Sequence, residues 1–335
     1  MDRPDDPVTA AEDDRIHRLE VPVDWPPGHA AAYLIESPEP ILIDAGAPGE
    51  RGHRELAAEL AAHDYAFEDI SHLLLTHPHS DHLGGAKTVI DAADPVVYAP
   101  LGVHSRLDRA PDDLARGVRE TAHGAGLRGA AVEDAIEEAL DSLRRNRRLL
   151  PPEAIDVDLA GGERFEAGDR SVAAIHTPGH QVDHACFHLP EDGVLFSGDV
   201  LIDPFRAAAL DVGLDRGAYD AFSHYYAAYD RLAGRAVDRV YPGHGPVFGT
   251  YEATIGRSRR DLDERVERAF DMVTTNAPAS PLEVVRAQLP DDPHPKRLRT
   301  TLFETIGALG RLEGDGRLSR ERDEDGVRRY RAIDD

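Results

Sequence analysis

Three histidines and an aspartate lie within six residues, in the order His77-x-His79-x-Asp81-His82, and this motif restricts the fold more than any other feature. It follows residues 71–76, a short apolar run of the kind that forms a buried strand. Side chains two positions apart on an extended chain face the same side, so His77 and His79 can converge on one ion. Asp81 and His82 come after the chain turns and can point at a second ion. The motif therefore predicts a metal site at the end of a strand.

The donor groups of this motif suit a catalytic metal site. Imidazole and carboxylate groups without a thiolate favour zinc, iron or manganese over a closed structural site built from cysteines. Cys186 is the only cysteine in the sequence, so an internal disulfide is excluded. A single histidine here would more often be a loop residue, but four donor groups in register after an apolar strand favour the metal site.

Three further motifs come later in the chain, each directly after a predicted strand. Two are Pro-Gly-His sequences that end at His180 and His244, and the third is the Gly-Asp pair at Asp199. Together with the first motif, and in this order, they resemble the metal-binding motifs of the metallo-β-lactamase superfamily over residues 15–250. The resemblance implies an α/β fold, a four-layer αβ/βα sandwich that holds one or two metals at the edge between its two sheets.

Two other stretches are interpreted through the same resemblance. The strand-like sequence Ile41-Leu-Ile-Asp44 resembles the opening of this fold, where the aspartate is a supporting residue near the metals. Residues 100–150 carry apolar side chains at helical spacing, with a break near residues 124–126, and form a predicted helical insertion. Such an insertion either covers the active-site cleft and sets substrate choice, or is a surface helical pair.

The resemblance also implies a set of ligands for two zinc ions, with iron or manganese as other possible metals. The first ion would be held by His77, His79 and His180, the second by Asp81, His82 and His244, and Asp199 would bridge them. Two ions about 3.5–4 Å apart can trap a hydroxide at neutral pH. Asp81 would be the catalytic residue, because it can accept a hydrogen bond from that hydroxide and orient it.

Two histidines refine this assignment. The flavodiiron branch of the superfamily has an acid at the position of His79, so its di-iron oxygen chemistry is excluded. His184 follows His180 by four residues and has two alternative roles: it either contacts the substrate or leaving group, or packs behind the site.

The predicted activity is that of a metal-dependent hydrolase that cleaves an ester, a thioester or a phosphodiester. Glyoxalase II-like thioesterases and lactamase-like endoribonucleases share this metal centre. A persulfide dioxygenase with one iron on His77, His180 and Asp199 is an alternative, and the complete second set of ligands argues against it. A third hypothesis is a nucleic-acid-binding protein whose main functional element is at the C-terminus; the intact ligand set argues against this too.

The C-terminal part begins with a predicted linker helix at residues 251–278. Residues 279–335 then show a capping box at Ser280 and Glu283, an apolar helical stripe and signals for a closing hairpin. This order resembles a winged helix. We expect four of its arginines to be largely exposed: Arg297, Arg299, Arg328 and Arg329.

Charge distinguishes this C-terminal part from the rest of the chain. Residues 279–335 hold 11 basic and 12 acidic residues, whereas the preceding chain holds 27 and 51. A segment that is less acidic than the rest of the chain is better suited to contact RNA or DNA. The alternative is that this segment only packs against the rest of the protein or forms a homodimer. The other expected partner is a small-molecule ester or thioester.

The whole chain has a net charge of -25 and only two lysines, Lys87 and Lys296. Such a composition is typical of salt-adapted proteins, because concentrated salt screens self-repulsion. Residues 1–14 form a predicted mobile acidic tail without the features of a signal peptide, and no apolar run is long enough to cross a membrane. We therefore expect a cytoplasmic location and no membrane partner.

Overall fold

A computed structural model describes residues 14–291 and 293–333 of the chain. The tail predicted at residues 1–14 lies outside this range except for Asp14. Within the described residues, the first sheet has six strands in the order β1-β2-β3-β4-β5-β6. The pairs β1–β2 and β2–β3 are antiparallel and the others parallel. Their bounds are β1 Ile16–Pro22, β2 His29–Ile35, β3 Ile41–Ile43, β4 His72–Leu74, β5 Val96–Pro100 and β6 Val157–Leu159.

A second sheet of five strands, counted over the same residues, has the order β11-β10-β9-β8-β7. Only β10 and β11 pair in parallel among these strands. The strands are β7 Arg164–Ala167, β8 Arg170–His176, β9 Ala185–Leu189, β10 Val194–Gly198 and β11 Arg239–Pro242.

The apolar residues of β3 show how the layers form. Ile41 and Ile43 point into a cluster between the sheets, where they meet Phe187 of the second sheet. Leu42, on the opposite face of the same strand, packs against Leu56 on the helix that covers the first sheet. Because successive strand residues face opposite sides, a fully apolar strand needs cover on both faces. The predicted four-layer αβ/βα sandwich is confirmed.

The described α-helices are α1 Gly49–Ala61, α2 Ser80–Leu83, α3 Ala86–Ala93, α4 Val103–Asp108, α5 Pro111–Ala125, α6 Ala130–Leu149, α7 Ala221–Leu232, α8 Tyr251–Asn276, α9 Pro281–Gln288 and α10 Pro295–Gly314. Among them, α1 packs against the first sheet and α7 against the second, and others pack on one another. The helices predicted for residues 100–150 are α4 to α6, with the break at residues 126–129. None of the described helices is both long enough and apolar enough to cross a membrane.

The C-terminal segment at residues 279–333 contains α9, α10 and the antiparallel pair β12 Leu318–Arg322 and β13 Arg328–Ala332. The predicted capping box is present: Ser280 accepts from the backbone of Glu283, whose carboxylate accepts from the backbone of Ser280. Helix, helix and hairpin follow in the predicted order, and the winged-helix resemblance stays a prediction. Leu309 and Tyr330 belong to the same apolar cluster as Tyr225 on α7, so this segment shares a core with the helices of the second sheet.

The expectation that four C-terminal arginines are largely exposed is wrong for three of them. Arg299 forms an ion pair with a glutamate on α6. Arg328 stacks over the Tyr219 ring at 3.7 Å. Arg329 pairs with two carboxylates of its own segment, at 2.6 and 2.9 Å. Of the four, only Arg297 is exposed. The sequence shows that these side chains are charged, but it does not show which carboxylates or rings pack beside them.

Candidate metal centre

The seven candidate ligands lie on four connections that follow strands, called the ligand loops below, and the first of these includes the short helix α2. His77 to His82 come after β4, His180 after β8, Asp199 at the end of β10, and His244 after β11. The structure brings these loops together at one edge of the sandwich, where their donor atoms form two groups. Ligands from positions up to 167 residues apart thus meet because both sheets end at the same edge.

The first group contains His77, His79, His180 and Asp199, with donor atoms within 4.8 Å of one another. Nδ1 of His79 lies 3.0 Å from Nε2 of His77 and 2.9 Å from Nε2 of His180. Oδ2 of Asp199 is 3.3 Å from the same nitrogen of His180. Three ring nitrogens and one carboxylate oxygen therefore face a common point.

The second group contains Asp81, His82 and His244. Nε2 of His244 lies 3.3 Å from Oδ2 of Asp81. Asp199 also reaches this group, because Oδ2 is 3.4 Å from Nε2 of His244 and Oδ1 is 3.5 Å from Nε2 of His82. The carboxylate of Asp199 thus contacts side chains of both groups.

Asp44 orients one histidine of each group. His82 donates from Nδ1 to the Asp44 carboxylate at 2.7 Å. Thr76 donates to the same carboxylate from its backbone nitrogen and from its hydroxyl, both at 2.8 Å. Since the Thr76 proton is used in this way, its oxygen accepts from Nδ1 of His77, 2.9 Å away. Both rings are thereby fixed with Nε2 toward the other ligands, as is usual for metal-binding histidines.

Backbone carbonyls orient two more rings. His180 donates from Nδ1 to the carbonyl of Ala208 at 2.9 Å, and His244 donates from Nδ1 to the carbonyl of His29 at 2.6 Å. In the neutral ring, a proton held on Nδ1 leaves the lone pair on Nε2, the atom that faces the group and would bind an ion.

The ring of His79 has the opposite orientation. Its Nδ1 faces the first group, so its proton is on Nε2 and needs an acceptor. The side-chain amide of Gln181 lies 2.6 Å from that Nε2 and supplies one when its oxygen faces the ring. Gln181 is not among the site residues predicted from the sequence, although its position next to His180 was a signal.

Burial and neighbouring charges shift the pKa values of the histidines in the two groups in opposite directions. Burial, followed by neighbouring imidazoles, holds the pKa of His77 well below its usual value, so this ring is neutral. Burial also opposes protonation of His82, but the carboxylates of Asp199 and Asp44 outweigh it and raise its pKa to about 9. For Asp81, burial is outweighed by hydrogen bonding to His244, and its pKa falls to about 2. Asp81 is thus ionised at neutral pH, as a metal ligand must be, and a bound ion would take the place of the Nε2 proton of His82.

The donor atoms fit divalent cations. Nε2 of His82 and Oδ1 of Asp199 are buried 3.5 Å apart, and neither has a hydrogen-bond partner among the described residues. A buried polar atom without a partner is destabilising, and an ion beside these two atoms would satisfy both. Imidazole nitrogen and carboxylate oxygen are also the donors that zinc takes at catalytic sites. Metal binding by the seven residues stays a prediction, and the geometry favours it.

The predicted substrate contact by His184 needs correction. Its side chain is fully buried. Its Nδ1 is 2.8 Å from the hydroxyl of Thr177, and its Nε2 accepts from the backbone nitrogen of Asp199 at 3.2 Å. With both nitrogens occupied inside the protein, His184 holds the Asp199 loop in place, the alternative role that the sequence left open.

A cavity of about 930 Å³ lies beside the first group and includes Pro78, His79 and Gln181 in its lining. Its other walls come from α4, α5 and α6, from residues 210–216 and from α10. Asn146 on α6 donates to the carbonyl of Pro78 at 2.6 Å, so the insertion is attached to the ligand loop itself. This arrangement agrees with one of the two alternatives left open by the sequence, that the insertion covers the active-site cleft.

The family model described as the metallo-beta-lactamase superfamily matches residues 25–244. The chain belongs to this superfamily. The matched range contains all seven candidate ligands and ends at the last of them.

Curated relatives agree with this family. The "Lactamase-like protein vrtG" of Penicillium aethiopicum is 28% identical over 71% of this chain and 58% of its own length. The "Thioesterase pkgB" of Emericella nidulans is 28% identical over 68% of this chain and 48% of its own length. The chain therefore spans about half the length of the curated relatives it matches.

Solved structures share the fold over almost the whole chain. A metallo-beta-lactamase family protein from Thermus thermophilus superposes with a TM-score of 0.78 at 23% identity, covering 95% of this chain and 99% of that one. A beta-lactamase domain protein from Burkholderia ambifaria gives a TM-score of 0.75 at 22% identity, covering 95% and 92%. The likeness thus extends beyond the range that the family model matches.

Proposed function

We propose that this protein is a dinuclear metal-dependent hydrolase that cleaves an ester or a thioester. The observation that carries the proposal is the convergence of seven donor side chains in two groups joined by Asp199. His77, His79 and His180 would hold one ion, and Asp81, His82 and His244 the other. When bound, the ions would lower the pKa of water to near neutrality and polarise the bond to be broken.

The chain's own residues prepare this chemistry. Asp81 is ionised and nearly buried, so it can accept a hydrogen bond from the attacking water and orient it. Asp44 and the Ala208 carbonyl fix the rings of His82 and His180 before any substrate arrives. Groups held in place in this way need no reorganisation during the reaction. The proposed catalysis requires no serine or cysteine nucleophile, and Cys186 is buried in the core.

Two observations favour an ester or thioester over a phosphodiester. One curated relative carries the name thioesterase. In addition, two of the arginines that line the cavity already have carboxylate partners: Arg109 pairs with Asp215, and Arg299 with Glu138. Guanidinium groups paired within the protein are less available to phosphate groups. The mononuclear iron alternative leaves His82, His244 and Asp81 without a function, although all three converge at one place.

The proposal is tested by metal analysis together with hydrolysis assays. We expect two divalent ions per chain, most often zinc, by elemental analysis of the purified protein. A chelator should abolish hydrolysis of p-nitrophenyl and thioester substrates, and added zinc should restore it. Bis(p-nitrophenyl) phosphate should be a poor substrate. A fully loaded protein that holds one iron per chain and cleaves neither ester would overturn the proposal.

A further inference from the structure

The cavity beside the candidate metal centre has the size and position of a small-molecule site. Its volume, about 930 Å³, lies at the upper end of the usual range for such pockets. His79 and Gln181 line it, and His79 belongs to the first ligand group. A group bound in this cavity would therefore lie next to the bond that the metal centre attacks.

The walls of the cavity carry apolar side chains from different parts of the fold. The insertion and α10 contribute most of them: Leu107, Leu114, Val118, Leu143, Leu214 and Phe303. Leu114 and Phe303 are only partly buried, so apolar surface remains uncovered inside the cavity. Covering such surface with an apolar ligand is favourable in water.

The charged groups at the cavity are largely paired with each other. Arg106 lies 3.6 Å from the Asp183 carboxylate, and Arg109 is paired with Asp215. Arg299 of α10 pairs with Glu138 of α6 across the cavity wall. Arg145 also lines the cavity, together with the carboxylates of Asp134 and Asp141, so the lining has no excess of positive charge. This suits an uncharged ligand better than a polyanion.

From these observations we infer that the cavity binds a bulky apolar group adjacent to the scissile carbonyl. The substrate would then be an ester or thioester with a medium-length or longer acyl chain, or an aromatic body of similar size. The inference rests on the proposed ester or thioester hydrolysis, and it assigns a role in substrate selection to the insertion and to α10.

The inference is tested with a series of p-nitrophenyl esters from acetyl to decanoyl, on the metal-loaded full chain. The value of kcat/KM should rise by up to about fourfold per methylene over the first several carbons, the gain expected for burying a CH₂ group. Leu114→Trp narrows the cavity and should lower kcat/KM for the decanoyl ester at least tenfold, with less than a threefold change for the acetyl ester. Phe303→Ala enlarges the cavity and should shift the preference toward longer chains.

The matched control is Leu101→Trp, the same substitution at a side chain that is 57% exposed and outside the cavity. It should leave the chain-length profile unchanged. A flat profile in the wild-type protein, or the same loss in both tryptophan variants, would overturn the inference while ester hydrolysis itself stands.

A second readout does not depend on hydrolysis. Binding of 2-decanone, an uncharged ketone with a similar apolar chain, is measured by calorimetry on the wild-type protein and on both tryptophan variants. Saturable binding that only Leu114→Trp weakens supports the cavity assignment even if no ester is cleaved, in which case the proposed function alone fails. Absence of binding to the wild-type protein contradicts the assignment.

Discussion

The loops that carry the candidate ligands and the C-terminal segment at residues 279–333 meet at the same site but contribute to it in different ways. The loops supply every donor atom of the two ligand groups, each on a short connection that follows a strand. The C-terminal segment supplies cavity wall through Phe303 and a structural clamp through Glu304. The first region determines what chemistry is available, and the second determines the shape of the site around it.

The clamp connects the two regions directly. One oxygen of Glu304 accepts from Arg206 at 2.6 Å and from the backbone nitrogen of Ala209 at 3.2 Å, and the other accepts from Arg265. Ala208, between two of these contacts, provides the carbonyl that orients His180. A residue on α10 therefore acts on a candidate ligand through the loop at residues 206–209.

The largest effect is expected at Asp199, which contacts both ligand groups. Asp199→Asn removes a charge at nearly constant volume, so we expect metal content to fall from two ions to one or fewer. Hydrolysis should decrease on the order of 10³-fold, since an electrostatic partner of both ions is lost. Elemental analysis measures the metal content, and steady-state kinetics measure the rate of hydrolysis. Asp91→Asn, at an exposed aspartate on α3, is the control and should change neither. Two retained ions with near-normal activity would show that Asp199 does not join the groups.

The next effect is expected at Asp81, which belongs to the second group alone. Asp81→Ala should reduce hydrolysis by on the order of 10² or more, because the orienting acceptor for the attacking water is removed. The circular dichroism spectrum should stay that of the parent protein. Activity within a few-fold of the parent would count against this role.

A smaller effect is expected at Glu304, and it tests whether the C-terminal segment acts on the ligand loops. Glu304→Gln weakens the charge pairs that hold residues 206–209, so the affinity for metal should fall about tenfold, in the lower range seen for supporting residues. A competition titration with a chelating dye measures the affinity. The control is Glu313→Gln on the same helix, where the carboxylate pairs with Arg320 at 2.9 Å. Equal loss of affinity in both variants would indicate general destabilisation instead.

The smallest effect on hydrolysis is expected from the C-terminal arginines. Arg297→Gln and Arg329→Gln together should leave hydrolysis of a small ester unchanged, because neither residue lines the cavity. If the segment contacts nucleic acid, the same pair should weaken RNA or DNA binding, and binding to the parent protein should fall as salt rises. Absence of any binding by the parent protein would reject the RNA or DNA partner.

Substitutions test the role of the C-terminal segment better than deletion of residues 279–335, although deletion would be the simpler experiment to design from the sequence alone. Leu309, Leu312 and Tyr330 lie in a core shared with α7 and α8. Removing large side chains from such a core costs several kcal/mol each. A truncated chain would therefore lose stability together with any binding function.

The sequence by itself determined the features that depend on neighbouring residues. The ligand motifs are local, each at the end of an apolar strand, so their residues and their approximate pairing could be predicted. The capping box at Ser280 and the helices of the insertion also follow from short-range rules of spacing and hydrogen bonding. For the same reason, Asp44, which directly follows the strand-like sequence Ile41-Leu-Ile, was expected near the metal site.

Only the tertiary structure decided which distant side chains face each other. The sequence identified His184 as a candidate contact, but packing against Thr177 and Asp199 buried it. Nothing near Glu304 in the sequence indicates that it reaches Ala209, 95 residues away. The physical reason is that periodicity shows which face of a helix is apolar or charged, whereas the group that covers that face is set by how the layers pack.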